Sequence, residues 1–207
     1  MTDKIKLQDY DNIIFDYGGV IVNLEDDFAR KQLLSLGVSK LRIWWYRKRF
    51  KQLIRDFIDG LRPTDDIIDD VLKVMGNGMK KDDLQPFIDS LTGELPVSRL
   101  KMIKELRKTH KVYLLSNIND VLWDNAVNDM KRLGYTPEEL FDDTFLSFQM
   151  HVAKPDIRIY EKVIEQSGVN PQRSVFFDDR KANVESACKA GLQGVLVETN
   201  HLENEIE

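Results

Sequence analysis

The chain holds 207 residues, 42% hydrophobic and 31% charged, with a formal net charge of −5 and a single cysteine, Cys188. That length and composition fit one soluble globular domain, or one carrying an insertion, with ample chain to build a core. The acidic balance argues against general nucleic-acid binding, a lone cysteine excludes an intramolecular disulfide, and no run reaches the roughly 18 apolar residues of a membrane span.

In chain order, the opening MTDKIKLQDYDN has no apolar stretch of the signal-peptide kind, so a cytoplasmic location is expected. Asn12–Phe15 is a short, continuously apolar run that predicts a strand covered on both faces of a parallel sheet. Asp26–Leu36, Lys40–Asp59, Thr64–Met75 and Lys80–Leu91 then read as helices, with no strand among them. Ser98–His110 predicts a helix with Ser98 as N-cap and Leu100, Ile103 and Leu106 on one face. A second apolar strand follows at Lys111–Leu115. Thr136–Phe141 carries a capping box, with Pro at the first helical position and Glu three residues after Thr. Asp143–Phe148 is a weaker strand. Asp156–Gly168 is a helix closed by glycine, Ser174–Phe177 a strand, Lys181–Gly191 a second helix closed by glycine, and Gly194–Val197 a strand. Strand-helix alternation after residue 98 predicts a doubly wound, Rossmann-like α/β core. The expected organisation is a core of residues 1–21 and 93–207, with an all-helical insertion at 22–92.

In an open parallel sheet, ligands bind beyond the carboxyl ends of the strands. Asp16 follows the first strand, Ser116 and Asn117 the second, Lys154 the weaker one, and Asp178 and Asp179 the next. Together they place three carboxylates, a hydroxyl and an amine at one edge. Clustered carboxylates call for a hard divalent cation such as Mg²⁺, which takes oxygen ligands from carboxylates and a substrate phosphate. Asp16 can then act as nucleophile, while Lys154 and Ser116 donate to phosphoryl oxygens. Gly18 and Gly19 are expected to let backbone groups approach the phosphate and the metal.

The motifs FDYGGV, LLSNIND, KPDIRIYEKVI and FFDDRKANVESACKAG stand in the order and spacing of the haloacid dehalogenase (HAD) superfamily, and the chain resembles it across the whole core. Within that superfamily it looks like the bacterial sugar-phosphatase group related to α-D-glucose-1-phosphate phosphatase. The resemblance implies that the insertion is a helical cap and that Asp16 is the nucleophile. It implies Mg²⁺ held by Asp16, the Gly18 carbonyl and Asp178, with Asp179 supporting the metal or its waters. Ser116 and Lys154 would bind the phosphoryl group, with Asn117 and Gly19 at the substrate. The implied activity is hydrolysis of a small phosphorylated metabolite, with neither nucleic acid nor membrane as partner. Two alternatives stand beside it: a metal-free dehalogenase working through the same aspartate, and a catalytically weak binding protein of the same fold.

Phosphatases of this superfamily usually carry a second aspartate two positions after the nucleophile, as general acid–base. Here that position is Gly18. Its proton must then come from the cap or from water, or the substrate must have a good leaving group. His151 stands where relatives more often have glycine, and either touches substrate or packs against its loop. In the insertion, Trp44, Trp45 and Tyr46 beside Arg47, Lys48 and Arg49 form an unusual patch. It is a platform that stacks on a sugar or nucleoside, a single-stranded nucleic-acid platform, or the edge of a helix whose apolar face is Trp45, Phe50, Leu53, Ile54 and Phe57.

Overall fold

The computed structural model describes residues 5–24, 31, 34, 37–76, 78–89, 91 and 93–206. Five strands, β1 (Asn12–Phe15), β2 (Lys111–Ser116), β3 (Asp143–Leu146), β4 (Ser174–Asp178) and β5 (Gln193–Leu196), form one parallel sheet in the order β3-β2-β1-β4-β5. The apolar runs at β1, β2 and β4 become strands because each alternates its residues between two buried faces. Ile13, Phe15, Val112, Leu114, Val175 and Phe177 join one apolar cluster, while Ile14, Tyr113, Leu115 and Phe176 join another. Phe15 and Phe177 stack at 5.4 Å between ring centroids.

Nine α-helices of four residues or more are described. Three lie between β1 and the helix that precedes β2: α1 (Lys40–Asp59), α2 (Thr64–Met75) and α3 (Gln85–Asp89). The others are α4 (Val97–Leu106), α5 (Asp120–Arg132), α6 (Pro137–Leu140), α7 (Ser147–Met150), α8 (Ile157–Ser167) and α9 (Lys181–Lys189). Helices α4 and α5 cover the Phe15 face through Leu100, Ile103, Leu122 and Ala126. Helices α8 and α9 cover the Ile14 face through Ile159, Tyr160, Val163 and Ala187. The result is the expected three-layered doubly wound fold.

Local departures have local causes. The helix expected at Lys80–Leu91 is a 3₁₀ turn, Lys81–Leu84, followed by α3, whose second residue is Pro86. Proline has no N–H to continue a preceding helix but suits a first turn. Helix α4 begins at Val97, one residue before the expected Ser98 cap, and makes no side-chain cap bond. Strand β3 stops at Leu146, because the Ser147 hydroxyl turns to Asp59 O (2.7 Å) and accepts from Ile118 N (2.9 Å). The Thr136 capping box and the left-handed Gly168 cap both form as expected. Most of the helix expected at Asp26–Leu36 lies outside the described residues.

Among the described residues no strand falls between 25 and 92. The chain leaves β1 and returns toward α4 through one antiparallel bridge, Asn23 to Glu94, bonded at 2.8 and 3.0 Å. Gly93 sits at φ +71°, where any side chain would run into Asn23. Buried Arg99 fastens the same corner, donating to Ile21 O, Asn23 Oδ1 and Glu203. No described helix is long and apolar enough to cross a membrane.

Within α1, Phe50, Leu53 and Phe57 are buried, but Trp45 is 71% exposed. At 100° per residue Trp45 lies about 140° around the helix from Phe50, so it does not belong to the apolar face to which the sequence pattern had joined it.

Candidate active site

The strand order reverses at β1, with β2 on one side and β4 on the other, so the crevice opens beyond the ends of these three strands. Asp16 N bonds Phe177 O at 2.9 Å, which sets Asp16 beside Asp178, the last residue of β4. A cavity of about 110 Å³ opens there, walled on the core side by Asp16, Gly18, Ser116, Asn117, Lys154 and Asp179. Ile58 and Leu91, from the segment between β1 and α4, line its other side.

Lys154 is the hub. Its buried Nζ donates to Leu115 O at 2.9 Å and Asp178 Oδ2 at 2.8 Å, and pairs with Asp16 Oδ1 at 2.7 Å. Lys154 precedes Pro155 through a cis peptide bond. Burial works against its charge, but the two carboxylates outweigh that and hold its pKa above the ordinary lysine value. One cation facing two acids leaves negative charge in a dry place. Burial accordingly pushes the Asp16 carboxyl up to about 7, Lys154 opposing and Asp178 adding to the rise.

The two acids after β4 differ. Asp178 is shut from solvent and accepts from Arg180 N, from Lys154 and, on both oxygens, from Asn183 Nδ2. Asp179 is part-exposed, lines the cavity and takes one bond, from Thr199 Oγ1 at 3.1 Å. Its carboxyl is raised by burial and by the charge of Asp178.

The three carboxylates can offer oxygens within 4.8 Å of one another. An octahedral ion with bonds of roughly 2.1 Å needs its oxygens about 3–4 Å apart, so small side-chain movements suffice, and all-oxygen donors suit Mg²⁺. Asp178 must release one of its hydrogen bonds to join such an ion; Asp179 need only turn.

The expected site residues sort by what they touch. Ser116 lines the cavity, and its hydroxyl has one contact among the described residues, at the 3.5 Å limit to Asn117 O. That leaves it able to turn toward a ligand. Asn117 lines the cavity too, but its amide is committed: Oδ1 accepts from Lys154 N (2.8 Å), and Nδ2 donates to Lys154 O and Asp59 Oδ1, each at 2.9 Å.

Gly19, expected at the substrate, lies outside the cavity wall, its N–H bonded to Val22 O and its carbonyl to Asn200 N. It is needed for another reason: at φ +77° a Cβ would stand 2.5 Å from Asp179 Oδ2. Gly18 differs again, with no left-handed φ, and a Cβ there meets only the Leu24 side chain, at 3.4 Å. So of the pair only Gly19 makes room.

His151 is exposed, takes a left-handed φ of 54° after α7 and lies off the cavity. From α1 the cavity takes only Ile58, and Trp45 lies 13 residues earlier, about 20 Å along the helix at 1.5 Å per residue. The aromatic patch therefore stands away from the cavity. The sequence had not singled out Asp59 or Arg180; both belong to the site's surroundings, Arg180 as a lining residue and Asp59 as the partner of Asn117.

The chain is 26% identical over 183 residues to a D-ribitol-5-phosphate phosphatase of Bacteroides thetaiotaomicron, covering 88% of this chain and 89% of the relative. It is 27% identical over 118 residues to a glyceraldehyde 3-phosphate phosphatase of Methanothermobacter thermautotrophicus, covering 56% and 50%. A crystal structure of a HAD family enzyme from B. thetaiotaomicron, in complex with magnesium and inorganic phosphate, superposes with a TM-score of 0.82 at 25% identity, covering 92% of this chain and 95% of that one. The family model for haloacid dehalogenase-like hydrolases matches residues 10–191, and the chain belongs to that family.

Proposed function

We propose that this hydrolase is a Mg²⁺-dependent phosphatase of a small phosphorylated metabolite, with a sugar or polyol phosphate as substrate and Asp16 as nucleophile. The observation that carries this reading is the convergence of Asp16, Asp179, Lys154 and Ser116 on one cavity, with buried Asp178 within reach of the other two carboxylates. Relatives named for ribitol and glyceraldehyde phosphates support the substrate class. Residues 22–92 act as a cap over a core of 1–21 and 93–207, a division supported by the bridge between Asn23 and Glu94 and by Ile58 and Leu91 in the cavity wall.

Asp16, the Gly18 carbonyl and Asp179 would hold Mg²⁺, with Asp178 joining on loss of one hydrogen bond; bound there, the ion screens Asp16 from a phosphate dianion. An Asp16 oxygen attacks phosphorus, and the bond to the ester oxygen breaks. Ser116 Oγ, and Lys154 Nζ once it turns from Asp16 Oδ1, donate to the phosphoryl oxygens as charge spreads over them. Water then attacks the aspartyl-phosphate, releasing phosphate and restoring Asp16.

A metal-free dehalogenase is disfavoured, because three carboxylates around one lysine repel a carboxylate substrate. The test is hydrolysis of a panel of sugar and polyol phosphates with and without Mg²⁺. Turnover of a haloacid but of no phosphate ester, with or without the metal, would sink the proposal.

A further inference from the structure

Resting on the phosphatase reading, we propose that Asp59, the last residue of α1, is the general acid that protonates the leaving group, in place of the carboxyl that Gly18 lacks. Of the carboxylates already placed at the cavity, Asp16 is to attack and Asp178 and Asp179 face the metal. Lys154 has each of its three protons directed to a partner. Among the described residues, Asp59 is a further carboxyl that two cavity-lining residues address, Asn117 by a hydrogen bond and Arg180 by charge; it follows Ile58 of the cavity wall without lining the cavity itself, so its side chain must turn toward the cavity to reach a leaving group.

Asp59 is held as a working group must be. The Asn117 amide brackets it to the backbone of Lys154, which in turn grips Asp16. Its carbonyl accepts from Ser147 Oγ at 2.7 Å. The next residue, Gly60, sits at φ +63° with its Cβ position within 2.9 Å of the Asn119 Cα and the Ile118 carbonyl, so the chain lies flat against the core loop. Only Oδ1 of Asp59 has a hydrogen-bond partner among the described residues. Oδ2 is the atom left to carry a proton.

The surroundings favour a proton there. Burial raises the Asp59 carboxyl above its ordinary value; Asn117, Arg180 and Arg55 oppose that and Asp56 adds to it, with a net rise. In the first half-reaction the bond from phosphorus to the ester oxygen breaks, and that oxygen takes the Oδ2 proton. In the second, the attacking water returns a proton to Asp59 as the bond from phosphorus to Asp16 breaks. Both half-reactions balance, and Asp59 ends as it began.

The experiment measures kcat/KM with Mg²⁺ for the wild-type chain and Asp59→Asn over acetyl phosphate, 4-nitrophenyl phosphate, phenyl phosphate and a primary alkyl phosphate. This parameter reports the steps up to loss of the leaving group. Asparagine keeps the acceptor for Asn117 and removes the proton. The loss in the variant should grow with leaving-group basicity, reaching about 10²-fold or more for the alkyl ester. Asp59→Ala should add to that slope a uniform loss from the orphaned Asn117. An equal loss across the series in Asp59→Asn, or none, overturns the assignment and leaves Asp59 a positioning residue at most. A wild-type chain inactive on every ester overturns the phosphatase reading itself, and this inference with it.

Discussion

Lys154 and Asp178 meet at 2.8 Å with side chains only 1% and 0% exposed, while Asp179, next in the chain, looks into the cavity. The neighbours should therefore fail differently when neutralised. Asp178→Asn strips a buried cation of one of its two counter-charges, a change that costs about 3 kcal/mol or more for a buried pair. Asp179→Asn keeps an acceptor for Thr199 and should move stability little, yet weaken Mg²⁺ binding. Thermal unfolding and magnesium titration of both variants check this. Equal stability losses in the two would mean that the buried pair is not the anchor described here.

Asp16→Asn should leave the fold intact and abolish turnover of every phosphate ester. A beryllium or aluminium fluoride adduct should form on the Asp16 carboxylate in the wild-type chain and be missing from the variant. Retained activity in Asp16→Asn, or an adduct on another residue, would show that the attacking group lies elsewhere.

Stability should respond to pH through the same carboxylate. Its folded value is raised to about 7 from an ordinary 3.8, chiefly by burial. Between those values the unfolded chain has released the proton and the folded chain still holds it, so stability falls as pH rises through the window. The metal-free protein should unfold several degrees higher at pH 5.5 than at pH 7.5, at roughly 2–4 °C per kcal/mol for a chain of this size. Saturating Mg²⁺, which favours the carboxylate, and Asp16→Asn, which cannot titrate, should each flatten the profile. A slope unchanged in Asp16→Asn would assign it to other groups.

The sheet was legible because a strand covered on both faces needs apolar residues at every position, and Ile13, Ile14 and Phe15 leave no other reading. The site was legible in part for a related reason: the polar residues that end such strands converge by topology alone. What the sequence could not carry is contact between distant segments. Asp59 meets Asn117 across 58 positions, and Arg99 meets Glu203 across 104. The same limit hid the difference between Asp178 and Asp179, which follows from the lysine and asparagine that reach only the first. Trp45 is a different case: its helical phase, legible in the sequence, already set it off the apolar face, and the structure leaves it exposed.

Gly18 offers the sharpest remaining test, because the backbone does not demand glycine there. Its φ is not left-handed, and a Cβ would touch only Leu24, itself 38% exposed and able to yield. Gly18→Asp should fold and place a carboxyl two residues from the nucleophile. If Asp59 already supplies the proton, that substitution alone should raise alkyl phosphate turnover little. In the Asp59→Asn background the new acid has a vacancy to fill, and it should restore a large part of the loss, up to the roughly 10²–10⁴-fold that general acid catalysis contributes. Both backgrounds should be compared by kcat/KM on one alkyl and one aryl phosphate. A gain of equal size in the two backgrounds would mean that the wild-type site works without an acid, and that Asp59 is not filling the place that Gly18 leaves open.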